Sequence, residues 1–319
     1  MRAPHLAALA LAASLAGCAG GGGARESMPP ALTVAPATAA PAPSGSATFP
    51  LSISIPRGAA PAGSARSPRY VSAGLQSLAL YDGTTLIYVG NFNQAGNPQF
   101  ATVYASPGST SVAGGSCTPG SGGTAASCTL TITSTMGAHT FDIITYPVTQ
   151  SGTPPTFVGV ILSEGEFAVT LFVGPNSAQS VTLHGVADNA TFTVPAGNVP
   201  FGQMASIGYQ IKDSVSMQII QPGSQQGTYD NGPVTITASP GGIVTMTPVS
   251  NAAPPAAAGD QTFSVTCTGS NGGTVTFTAG AQTSPDTSYA SNLAYGSNYA
   301  PATIGTATVQ LQCLGNRPT

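Results

Sequence analysis

The 319-residue chain predicts an all-β protein: two tandem β-sandwiches carried behind a secretion signal and a stem rich in Gly, Ala and Pro. Three observations carry that prediction. Short segments of alternating apolar and polar residues recur from Phe49 to Cys313; Gly, Pro, Asn and Asp punctuate them; and no stretch shows the periodicity of an amphipathic helix. Runs of short strands separated by turn residues give sandwiches or barrels, because each strand has one apolar face to bury.

The first element is the leader. Arg2 supplies a basic start, Leu6 to Ala16 is almost wholly Leu and Ala, and the run ends at Leu15-Ala16-Gly17-Cys18. It falls short of the ~20 apolar residues a membrane-spanning helix needs, so residues 1–17 read as a signal peptide. Leu15-Ala16-Gly17-Cys18 resembles the lipobox of bacterial lipoproteins, in which cleavage precedes the cysteine and acyl chains are added to its sulfur and new amino group. The resemblance implies lipidation at Cys18 and a membrane as partner. Several acyl chains, burying methylenes at ~0.8 kcal/mol per CH₂, anchor far more firmly than one. Ala19 stands where an acidic residue would, by analogy with that family, favour the inner membrane, which points the address to the outer membrane or cell surface.

Composition narrows the partners. Seven Lys and Arg less Arg2 leave six basic residues against ten acidic ones, a net charge of −4, and only 5% of the chain is charged. Nucleic acid is excluded as a partner, since phosphate binding needs clustered Lys and Arg. Arg57, Arg66 and Arg69 are a loose basic group and read as a solvated linker. Thr, Ser, Asn, Gln and Gly supply neutral polarity in place of charge, as suits an exported β-rich module.

Residues 18–67 read as a stem containing one possible strand at 49–55, where Phe49, Leu51, Ile53 and Ile55 alternate with polar partners. The first sandwich is expected over 68–187. "LQSLALYDGTTLIYVG" reads as strand, Asp82-Gly83 turn, strand; "CTLTITS" and "HTFDIITY" follow. "FVGVILS" and "FAVTLFVG" flank what reads as a small turn at Glu164-Gly165, and "SVTLHGV" closes the unit. The second sandwich is expected over 188–319, through "ATFTVP", "SIGYQIKD", "SVSMQII", "GPVTITAS", "GIVTMTP", "QTFSVTCTG", "GTVTFTA" and "ATVQLQCLG", with a turn at Asp230-Asn231-Gly232. The stretch 251–260 reads as a long loop, because 59 residues beyond it would make a thin sandwich.

Four cysteines besides Cys18 read as two bridges in an oxidising compartment, although four allow three pairings. Phe263-x-Val265-x-Cys267 and Val309-x-Leu311-x-Cys313 each place a thiol on an apolar strand face, which suits an inter-sheet bond between Cys267 and Cys313. Cys117 and Cys128 flank "TPGSGGTAAS", an apolar-poor segment that a bridge would pin. There is no Cys-x-x-Cys, and no metal or cofactor is expected.

"FPLSISIP", "PRYVSAGLQSLALY", "CTLTITSTMGAHTFDIITY", "GVILSEGE", "SVTLHGV" and "QGTYDNGPVTITAS" together resemble segments of an uncharacterised group of exported and lipoprotein-type bacterial proteins with tandem Ig-like β-sandwich domains, over residues 46 to 240. The resemblance implies an Ig-like fold and an envelope address. It implies no activity.

Catalytic signals are sparse. His139 and His184 are the histidines beyond the leader; His184 alternates against Val181 and Leu183 and is expected to face solvent, and His139 is expected in a turn. No nucleophile elbow, zinc-protease helix or calcium loop occurs, and Glu164 with Glu166 reads as a hairpin turn rather than a glycosidase pair. No enzyme is expected. Tyr289, Tyr295 and Tyr299 in "SYASNLAYGSNYAP" have the makeup of a recognition loop, Tyr giving stiff contact area among small polar residues. Two functions follow: a lipid-anchored, non-enzymatic envelope protein acting as spacer or as adhesion surface toward an envelope-protein partner, or a glycan- or small-ligand-binding lipoprotein using residues 288–301.

Overall fold

The computed structural model describes residues 45–56, 72, 74–93, 98–119, 125–181, 183–220, 229–246, 249–255, 258–281, 304 and 309–315. The protein is all-β: nineteen strands and no helix occur among the described residues.

Eleven strands form one sheet. They are β1 (Ser46–Pro56), β2 (Ser77–Asp82), β3 (Thr85–Asn93), β4 (Gln99–Ala105), β5 (Ser111–Pro119), β6 (Ala125–Thr135), β7 (Gly137–Tyr146), β8 (Ser163–Leu171), β9 (Gly174–Pro175), β10 (Gln179–Ser180) and β11 (His184–Gly185). The order is β10-β1-β6-β5-β4-β3-β2-β7-β8-β11, with β9 also paired to β1. β1 is the strand expected within the stem. It pairs with β6 along its whole length and buries Ala47, Phe49, Leu51 and Ile53, so the stem expected over 18–67 contains a strand of the sheet itself.

The sheet folds over on its own core. Phe49 of β1 and Phe141 of β7 have ring centroids 5.4 Å apart although five strands separate them in the ladder. Bending of this kind needs irregularity, and register shifts occur at Leu80/Tyr81, Val89/Gly90 and Gly114/Ser116. At the last, Gly114 and Gly115 have φ of 90° and 106°, and a Cβ on Gly115 would lie 2.9 Å from the Phe100 carbonyl oxygen. Only glycine fits there.

β2 and β7 bury both faces. Leu78, Leu80, Phe141 and Ile143 point into the main core, while Ala79, Ile144 and Tyr146 join a second cluster with Val89, Ile161 and Val186. Phe157 covers that outer cluster, its ring stacked 5.1 Å from Tyr146. The stretch "FVGVILS" is therefore mostly a covering loop rather than the expected strand; only its last residue, Ser163, enters β8.

The remaining strands form two four-stranded sheets. One has the order β12-β13-β17-β15, from β12 (Asn189–Thr193), β13 (Met204–Lys212), β15 (Val244–Met246) and β17 (Gln261–Cys267). The other has the order β16-β14-β18-β19, from β14 (Val234–Ser239), β16 (Val249–Ala252), β18 (Gly272–Gly280) and β19 (Val309–Leu314). They face each other across a core in which Phe263 and Phe277 pack edge-on at 5.5 Å. "SVSMQII" is not the expected strand. Asp213 Oδ1 accepts from the amides of Val215 (3.1 Å) and Met217 (2.8 Å), and that local bonding turns the chain instead.

Both bridges form. Cys267 on β17 joins Cys313 on β19, so the bond ties one sheet to the other. Cys117 joins Cys128 directly opposite it on the neighbouring strand. Residues 118, 119 and 125–127 of the segment between them belong to β5 and β6, so the bridge joins two paired strands, and residues 120–124 of the expected loop lie outside the described residues.

The expected turn at Asp230-Asn231-Gly232 is present but fully buried at Asp230 and Asn231. It reaches back to the segment following β11. The Asp230 amide donates to Gly185 O (3.0 Å), Asn231 Nδ2 donates to Ala187 O (2.7 Å), and the Ala187 amide donates to Asn231 Oδ1 (2.8 Å).

Candidate functional site: a buried carboxylate cluster

The outer face of β2, β7, β8 and β11 carries a cluster of titratable groups, most of it assembled by strand register. β8 runs straight through Glu164, Gly165 and Glu166, which corrects the expected hairpin turn there. Asp142 stands opposite Tyr81 on one side and Glu166 on the other. One step along, Glu164 stands opposite Ile144 and His184. His184 is buried, not solvent-facing, because β11 pairs with β8 here and the strand edge is covered.

Like charges directly opposite on neighbouring strands repel. Asp142 is 2% exposed and its Oδ1 has no hydrogen-bond partner among the described residues. Burial pushes its carboxyl up to about 7, and the charges of Glu166 and Asp230 add to the effect. Tyr81 is pushed up to about 12, by burial and then by Asp142. Burial, followed by Tyr81 and Glu164, raises Tyr146, and burial raises Glu166. A carboxyl so placed keeps its proton to near neutrality and can exchange it as the neighbouring charges change. Asp142 and Glu164, 2% and 1% exposed, do not present themselves to a bulky solute such as a sugar ring, while Glu166 is half-buried. No group of three or more His, Cys, Asp or Glu among the described residues could hold a metal ion.

A second polar group surrounds His139, which lies within β7 and not in a turn. Its Nδ1 is 2.9 Å from Asp82 Oδ2 and its Nε2 is 3.0 Å from Thr135 O. Thr110 donates to Asp82 Oδ2 (3.1 Å) and its hydroxyl also meets Ser134 Oγ at 2.6 Å. An Asp-His pair beside hydroxyls has the members of a hydrolytic triad, but both ring nitrogens already face acceptors. Neither nitrogen faces the hydroxyl of Thr110 or Ser134, as a triad base must face its nucleophile.

Of the residues singled out in the sequence, Cys117, Cys128, Cys267 and Cys313 are brought together as bridges. Cys18, Tyr289, Tyr295 and Tyr299 lie outside the described residues. The cluster around Asp142 was not anticipated. Its signal was the acidic residue interrupting the apolar run Phe141–Ile144.

No protein-family model matches the chain, and no curated protein sequence matches it. Among solved structures it is similar to a β-glycosidase from Bacteroides vulgatus, at 9% identity and TM-score 0.25, covering 83% of this chain and 24% of that one. It is also similar to the Yersinia pseudotuberculosis adhesin InvE, at 14% identity and TM-score 0.26, covering 83% and 58% of the two chains. Domains 4 and 5 of the S-layer protein SbsC align at 13% identity and TM-score 0.23, covering 75% and 96%. The chain thus spans about a quarter of the glycosidase and just over half of the adhesin. Superpositions at these TM-scores do not establish a shared fold.

Proposed function

We propose that the protein is a lipid-anchored, non-enzymatic component of the bacterial cell envelope, whose β-sandwich body serves as a spacer or adhesion surface. The observation that carries the reading is cysteine arithmetic. The chain has five cysteines, four of them paired in bridges within the folded body, and the fifth is Cys18 at the end of the apolar leader. An odd cysteine in an exported chain calls for its own chemistry, and acylation at the motif Leu15-Ala16-Gly17-Cys18 supplies it. The buried acids and the fully engaged His139 support a structural rather than a catalytic role for the polar groups of the body.

Fractionation of cells expressing the full chain tests this. The wild-type protein is expected in the membrane fraction with its leader removed, and Cys18→Ala either soluble after cleavage or held in the membrane by an uncleaved leader. Leader-free Cys18→Ala recovered in the membrane as fully as wild type would remove the anchor.

A further inference from the structure

Three segments meet where the described chain begins. The start of β1 pairs in parallel with β9, Ala47 opposite Gly174, and with the end of β6, Ser46 opposite Thr135. Gly137, which opens β7, stands opposite Leu171 at the end of β8. A Cβ on Gly45 would lie 3.2 Å from both Met136 Sδ and Val173 Cγ2, so backbone and tip touch there. Beside this point Phe172 and Val173 are each 70% exposed. The segments 45–48, 134–138 and 171–180 contain no charged residue.

The tip is also built. The Phe172 amide donates to Asn176 Oδ1 (3.0 Å), and Asn176 Nδ2 donates to Phe172 O and Gly174 O (both 2.9 Å). The Asn176 amide in turn donates to Thr48 O (2.7 Å). One asparagine thus satisfies polar backbone groups of the turn and holds the two apolar side chains outward. A backbone whose polar groups are internally paired is what a low-dielectric layer admits, and a turn held in advance loses little entropy on docking.

We propose that Met136, Phe172 and Val173 form a membrane-contacting tip that inserts into the apolar-polar boundary of the bilayer to which Cys18 is tethered. This rests on the anchored reading above. What selects a bilayer as occupant is where the described chain begins: Gly45, 27 residues after Cys18, touches the tip itself. Twenty-seven residues reach at most ~95 Å even when fully extended, so the tether confines the tip near the surface and raises its effective concentration there. The tip carries no charge for lipid headgroups to attract or repel, so contact is by apolar insertion alone.

The absence of Trp from the chain gives a clean reporter. Residues 18–319 carrying Phe172→Trp, with both bridges oxidised, are coupled through the free Cys18 thiol to maleimide-lipid in phosphatidylcholine vesicles. Met204→Trp, at a position also 70% exposed on β13, is the matched control. The expected result is a blue shift of the Phe172→Trp emission and quenching by brominated lipid, both lost when Val173 and Met136 are also changed to Ser, with the Met204→Trp emission unchanged. Solvent-like, unquenched emission from Phe172→Trp, or equal shifts from both reporters, would overturn the tip. Because the tether is chemical, this outcome is independent of whether cells acylate Cys18, which the fractionation reads separately.

Discussion

Asp142 occupies a site where an ionised carboxylate is costly, between a covering loop, the facing Glu166 and the buried Asp230. Its carboxyl sits at about 7 in the folded protein against the usual 3.8. The folded state therefore holds a proton that the unfolded state has released between those values, and stability falls as pH rises through that window. Replacing Asp142 by Asn removes the charge. Thermal melts of Asp142→Asn are expected to match wild type near pH 4, to exceed it above pH 7, and to lose most of the decline between. A second residue-scale prediction concerns Asp82, which accepts from Thr110 and faces His139. Asp82→Ala should cost about 1–2 kcal/mol in chemical denaturation, the size of one or two charge-assisted hydrogen bonds at a part-buried site. Neither environment could be read from the chain alone. "HTFDIITY" looks like a strand with a polar outer face, and nothing local tells that Phe157 and the segment around it would cover that face.

Elements were more legible, and the reason is the two-residue period of a strand. Phe263-x-Val265-x-Cys267 and Val309-x-Leu311-x-Cys313 turn their thiols inward whichever sheet they join, so a bond across the core was predictable from spacing. Gly83-Thr84 joins β2 to β3 with Gly83 at φ 57°, so the hairpin is where the dipeptide Asp82-Gly83 suggested but its turn lies one residue further on, Asp82 pairing with Thr85. Glu164-Gly165 misled because glycine and acid resemble a turn when β7 is not considered; pairing with Ile143 and Ile144 overrides the local preference. Two predictions belong here. Cys267→Ala opens a 46-residue loop and should lower stability by ~4 kcal/mol in the chain-entropy account, leaving one titratable thiol at Cys313. Gly115→Ala places a Cβ against the Phe100 carbonyl in a left-handed backbone and should cost about 2 kcal/mol, read from the denaturation midpoint.

For the whole molecule, the described body holds one large core drawn from Ala47 to Leu183 and another drawn from Ala187 to Cys313. Asn231 ties the turn before β14 to Ala187 by two bonds. Asn231→Ala strands a buried amide and a buried carbonyl and should cost about 3 kcal/mol, read from the denaturation midpoint. The proposed function rests on the expected leader and on acylation expected at Cys18, together with the apolar tip proposed beside Gly45. Mass spectrometry of the N-terminal peptide from protein purified out of membranes tests this most directly. The account predicts a peptide that begins at Cys18 and carries the mass of added acyl chains; a peptide that begins elsewhere, or an unmodified Cys18 thiol, would contradict it.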